Sequence, residues 1–129
     1  MVLIVQASAA VILGVLGLSQ IYRAGFWLAY YQRLAELGPI AIRGHGAVVM
    51  AIGSLIAVLH PIWSGPAVVL TVFAWLLMAE GAFCLLAPQL SLHTLNTPAA
   101  DMRRRAVVAT GVGVLVVAGV LWAHLLLAG

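Results

Sequence analysis

Lysine is absent from this chain, and only three residues are acidic: Glu36, Glu80 and Asp101. Charged residues fill 7% of its 129 positions, against about 25% in soluble domains. That scarcity excludes a water-soluble fold. It also removes most of what an enzyme needs: there is no acid pair, no nucleophile beside a base and no glycine-rich phosphate loop. The single cysteine, Cys84, excludes an internal disulfide, and no CxxC or Cys/His spacing suggests a metal centre. Cys84 reads as a small buried hydrophobe. No catalytic, cofactor-binding or metal-binding residue is therefore assigned, and a non-enzymatic protein is expected.

What is present is apolar sequence, 65% of the chain. It falls into four runs, at about 3–22, 44–62, 66–87 and 106–127. Each approaches the ~20 residues that a helix needs to cross a bilayer. The expected fold is all-α: a single domain with four transmembrane helices and no soluble module. The first run has no basic leader and a long apolar core, so it is expected to stay as a span rather than act as a signal peptide.

The charge lies between the runs. Arg23, Arg33 and Arg43 fall between the first and second, and Arg103, Arg104 and Arg105 between the third and fourth. Spans alternate direction, so both arginine stretches share one side. The positive-inside rule makes that side cytoplasmic and leaves both termini outside. The net charge of +3 is thus a topology signal rather than a nucleic-acid signal. Trp63 and Trp122 are expected at the outer interface. Tyr22, Trp27, Tyr30 and Tyr31 are expected at the inner one.

Between Gly25 and Leu37, Trp27, Tyr30 or Tyr31, Leu34 and Leu37 share one helical face, and Arg33 and Glu36 take the other. This pattern predicts a short amphipathic helix in the membrane interface after the first span, ended by Gly38-Pro39. It is also suited to docking a partner.

The halves read as two parallel hairpin repeats. Leu37-Gly38-Pro39 precedes Arg43 and a span holding Gly46 and Gly53. Asn96-Thr97-Pro98 precedes Arg103 and a span holding Gly111 and Gly113. Glu80-Gly81, Pro88, Pro98 and Met102-Arg103-Arg104 before a Gly/Val-rich span resemble the YjeT-like family. Its members are tiny two-span bacterial inner-membrane proteins of uncharacterised function. The resemblance covers about residues 70–125, and the first half matches only from Pro39 onward. Gly14-Val15 or Gly17-Leu18 stands where the family's Glu-Gly would be. The resemblance implies a tandem duplication, a helical fold in the bacterial inner membrane and no known chemistry.

Small residues recur at helical spacing. Ala7, Ala10, Gly14 and Gly17 line the first span, Gly46 and Gly53 the second, and Ala109, Gly113, Gly119 and Ala123 the fourth. Within lipid, close packing through small residues supplies the attraction between helices. These stripes are expected to be seams, inside the bundle or against a partner. Ser8, Ser19, Ser54, Thr71 and Thr110 are expected to bond to their own helix backbone.

Glu80 is the one acid well inside a span, where a charge costs ~2.5–3.5 kcal/mol on insertion scales and usually marks function. Its expected environment is burial, with a bond to a hydroxyl or carbonyl of a neighbouring span. A cavity and a polar partner would instead indicate transport. His45 and His93 are expected near the arginine side, and His60 and His124 near the other, all interfacial or solvated. Histidines on facing helices could hold a haem. However, His45 and His60, 15 residues apart on one run, point about 60° away from a common face.

The combined expectation is an accessory, assembly or stabilising subunit of a larger inner-membrane complex, or a homo-oligomer, in contact with the lipid bilayer and not with nucleic acid. A small oligomeric transporter or channel using Glu80 is one alternative. A haem- or pigment-binding membrane protein is the other.

Overall fold

In hydrocarbon every backbone N–H and C=O must find a partner within the protein, so each apolar run folds as a helix. The structure is a computed structural model that describes residues 1–96 and 99–129. Among the described residues it is built of helices, with no strand: α1 (Val2–Tyr22), α2 (Ala24–Leu37), α3 (Pro39–Leu59), α4 (Val68–Leu86), α5 (Pro88–Asn96) and α6 (Ala100–Ala128). Helices α1, α3, α4 and α6 are long and apolar enough to cross a membrane. The all-α, four-span architecture is as expected, and α2 is the predicted short amphipathic helix.

The helix ends follow from local chemistry. Gly38 takes a φ of 87°, a left-handed conformation that residues with a side chain rarely adopt, and donates its N–H to Leu34 O at 3.1 Å. Pro39 then opens α3, where its missing N–H is no loss. Pro88 separates α4 from α5 in the same way, since a proline there cannot continue α4. Gly65, at φ 68°, turns the connection from α3 to α4.

Several boundaries differ from the sequence expectation. The second span starts at Pro39 rather than about residue 44, and it stops at Leu59, leaving His60 and Pro61 outside it. The fourth starts at Ala100 rather than about residue 106, so Arg103, Arg104 and Arg105 occupy helix rather than loop. Hydropathy marks where the apolar stretch begins, but arginine is a good helix former and extends the helix beyond it. The helix α5 was not foreseen. Pro98, the proline of the second repeat, lies outside the described residues.

The long helices pack as two intimate antiparallel pairs, α1 with α6 and α3 with α4. Contacts within each half, α1 with α3 and α4 with α6, are sparse. Buried positions on α1 are Gln6, Ala10, Leu13, Gly17 and Gln20, and on α6 Val107, Gly111, Val114, Ala118 and Leu121. Both series alternate steps of four and three, the spacing of left-handed coiled packing. Toward the arginine end of each pair two backbones meet through glycines. A Cβ on Gly17 would sit 2.9 Å from Gly111 O, and one on Gly46 would sit 2.8 Å from Gly81 O. The pairs are joined by a cluster of Ala10, Leu13, Leu70, Val114, Ala118 and Leu121. Only 17–28% of the residues in each span window are buried, so most of each helix surface is left for lipid or a partner.

Candidate ion and ligand site

At the arginine end, α2 folds back across the bundle. Trp27 Nε1 donates to Ser19 Oγ at 3.0 Å, and Ser19 Oγ donates to Leu16 O. This tie fixes α2 against α1 and aims its aromatic residues at α3. Tyr30, Tyr31 and His45 form an aromatic cluster, with Tyr30 and Tyr31 ring centroids 5.7 and 6.2 Å from the imidazole.

Beyond the imidazole stands Glu80, whose Oε1 is 3.6 Å from His45 Nε2. That is an ion-pair distance when His45 is protonated, and it is longer than a hydrogen bond. The other ring nitrogen, Nδ1, lies 2.7 Å from Tyr30 Oη. With the phenol O–H donating to Nδ1, the neutral imidazole carries its one proton on Nε2, facing the carboxylate. The chain Tyr30–His45–Glu80 therefore links α2, α3 and α4. The neighbouring Tyr31 phenol is pushed up to about 12, mainly by burial and then by the Glu80 charge. It stays neutral at any physiological pH.

The environment of Glu80 differs from the expected one. Its side chain is half exposed and has no hydroxyl or carbonyl partner among the described residues. It faces a cavity of about 610 Å³ at the arginine end, walled by α1, α2, α5 and α6 as well as α4. Polar groups reach this space from several helices: Gln20, Gln32, Thr94, Arg103 and Thr110. The sequence holds no second acid at this depth, but the fold sets a histidine beside the first and brings three amides, Gln20, Gln32 and Asn96, and an arginine to its cavity.

A second polar cluster lies at the opposite end. His60, which closes α3, is fully buried. Thr71 Oγ1 is 2.9 Å from His60 O and 2.7 Å from Ile62 O, so its hydroxyl proton goes to a carbonyl. His60 Nδ1–H then donates to Thr71 Oγ1 at 3.1 Å, and Gln6 Nε2–H donates to His60 Nε2 at 2.9 Å. Burial pushes the imidazole pKa below its usual value, against a raising backbone hydrogen bond, and nearby His124 lowers it further. His60 is thus a neutral structural histidine, not the solvated one expected. Thr71 likewise bonds to the turn rather than to its own helix, whereas Ser19 and Thr110 bond within theirs. Both His60 nitrogens are engaged, which leaves neither to ligate a haem. Among the described residues no three His, Cys, Asp or Glu side chains gather as a metal site.

The glycine stripes divide. Gly17, Gly46 and Gly53 lie in the internal seams, but a Cβ on Gly14, Gly113 or Gly119 would meet nothing within 4 Å. Those three face outward and are not bundle seams. The seam partners not singled out are Gly81 and Gly111. Both were visible as glycines in spans, but their pairing requires the helix order. On α2, Trp27, Tyr31 and Leu34 are half-buried, while Leu37 is exposed and Tyr30 marginally so. No protein-family model, curated protein or solved structure matches the chain, so the site is read from its own geometry.

Proposed function

We propose that this multi-pass membrane protein is a small non-enzymatic transporter or channel that works through Glu80. The observation that carries this is the position of the carboxylate: it faces a cavity at one end of the bundle, with His45 of another helix at 3.6 Å. A carboxylate inside a span is costly, and its usual use is a proton or cation site. A half-exposed carboxylate beside an imidazole can take up and release a proton, and His45, held by Tyr30, can pass one on. The proposed setting is a bacterial inner membrane, with the arginine end in the cytoplasm. The order long helix, short helix, long helix occurs twice, and glycine contacts match between the pairs. Both features support a duplicated unit, and kinship of that unit with the YjeT-like proteins is part of the proposal.

A second reading is an accessory subunit of a larger complex. It is supported by the outward-facing Gly14, Gly113 and Gly119, which leave α1 and α6 open to close approach by another helix.

The test is charge movement in reconstituted vesicles after a pH jump. Wild type should give a transient current, and Glu80→Gln should abolish it while inserting and melting normally. Equal currents from the two proteins, or none from wild type, would overturn the transport reading and leave the accessory one.

A further inference from the structure

The cavity that Glu80 faces also contains a fixed cation. Arg103, near the start of α6, lines the same wall. Its Nη1 donates to Leu95 O at 3.3 Å, which uses one of five guanidinium N–H groups. Among the described residues the close ion pairs are Arg33 with Glu36 and His45 with Glu80, so Arg103 and Glu80 do not meet. The cavity that both side chains line is about 610 Å³ in volume, within the ~300–1,000 Å³ range of small-molecule sites.

Two further features describe what fits between the charges. Gln20 lines the cavity, is only 8% exposed, and its Oε1 has no hydrogen-bond partner. An unpartnered buried amide oxygen costs about 1–3 kcal/mol unless something donates to it. The remaining wall is mostly apolar, with Leu28, Leu95, Met102 and Val107 among its residues. A bare inorganic ion would leave that wall unmatched. An organic cation would be repelled by Arg103, and an organic anion by Glu80.

We infer that this cavity binds a zwitterion carried on an apolar body, its cationic group against Glu80 and Gln20 and its anionic group against Arg103. Tyr31, neutral and in the wall beside Glu80, gives the cation an aromatic surface. This inference rests on the reading of the cavity as the transport site. The shared chemistry is an ammonium and an anion on one apolar molecule. A free amphiphilic amino acid and a phosphatidylethanolamine headgroup both supply it.

The experiment is calorimetric binding to the full-length protein in nanodiscs of phosphatidylglycerol, with two sets of probes. The first is phenylalanine, phenethylamine and phenylpropanoate, which share a phenyl body and differ in charge. The second is short-chain phosphatidylethanolamine against short-chain phosphatidylglycerol. In one of the sets the zwitterion should bind at least about tenfold more tightly than its singly charged counterparts. Preference within the first set identifies a free solute, and within the second a lipid. Arg103→Gln should reduce the zwitterion to the level of an ammonium compound, and Glu80→Gln to that of an anion. Arg104→Gln, which removes the same charge outside the cavity wall, should change neither. If Glu80→Gln fails to fold, Glu80→Asp should weaken the zwitterion and phenethylamine alike. Zwitterions binding no better than singly charged probes in both sets would overturn the inference, as would a preference that survives the Arg103 change. If phenethylamine alone bound in a Glu80-dependent way, or if pH-jump currents persisted without zwitterion preference, the carboxylate reading would stand and the zwitterion would fall.

Discussion

Substituting Gly46 by alanine adds one methyl group where there is no room for it. The new Cβ would stand 2.6 Å from Cys84 Cβ, 2.8 Å from Gly81 O and 3.3 Å from Leu85 N. Non-bonded carbons rest at about 3.5–4.0 Å, so α3 and α4 must separate locally by about 1 Å. Two of the three obstructing atoms are backbone, and Cys84 is itself buried, so no flexible side-chain tip can yield. The cost of such overpacking is about 1–3 kcal/mol. Gly113→Ala is the matched control: its Cβ meets nothing within 4 Å, and alanine is the better helix former by up to about 1 kcal/mol. The two substitutions are chemically identical and should act in opposite directions. Purified protein in mild detergent, titrated with dodecyl sulfate and followed by circular dichroism, reads the unfolding midpoint. Gly46→Ala should lower it and Gly113→Ala should hold or raise it. Adding Gly81→Ala, whose Cβ would meet Gly46 O and Met50, to Gly46→Ala should cost less than the sum of the two single changes, because the same helices are already apart. Equal midpoints for Gly46→Ala and Gly113→Ala would refute the seam assignment.

Two further outcomes are expected. His60 is held neutral with its pKa lowered, so between its unfolded value near 6.5 and its lower folded value the unfolded chain binds more protons. Its stabilisation is therefore complete above about pH 6.5 and is lost as pH falls through that window; the midpoint should drop between about pH 7.5 and pH 5, and His60→Gln should flatten that slope. A pH-independent wild-type midpoint would refute the neutral network. A phosphatase that is active only outside the cytoplasm, fused after Gly129, should be active; silence would reverse the proposed orientation.

The four spans were legible because hydrophobic length is a one-dimensional quantity. The helix α2 was legible because Trp27, Tyr31 and Leu34 repeat at helical spacing and Gly38-Pro39 marks its end. Contacts across the bundle were not legible. Gly53 and Gly113 look alike in sequence, yet one faces α4 and the other faces outward, since only helix order and rotation decide which side of a span is covered. His60 seemed solvated because it precedes a proline in a turn. Its burial depends on Gln6 and Thr71, which are distant in sequence and join it only when α1, α3 and α4 come together. Glu80 was singled out by its cost in lipid, but its cavity is closed by four other helices, and one of them, α5, carries too little hydrophobic pattern to announce itself.

The pairing of α1 with α6 has a consequence for biogenesis. A ribosome releases α3 and α4 in succession, and their antiparallel contact can close as soon as both have left the translocon. The first helix has no such neighbour: its partner surface, from Val107 to Leu121, is synthesised only after α2, α3, α4 and α5. During that delay α1 lacks the cover that α6 gives it, and Gln6 and Gln20 are amides that the finished bundle buries. An unescorted nascent helix of this kind is the natural target of membrane chaperones and of quality-control proteases. Truncation before α6 should therefore shorten the protein's lifetime in the cell rather than merely trim its structure.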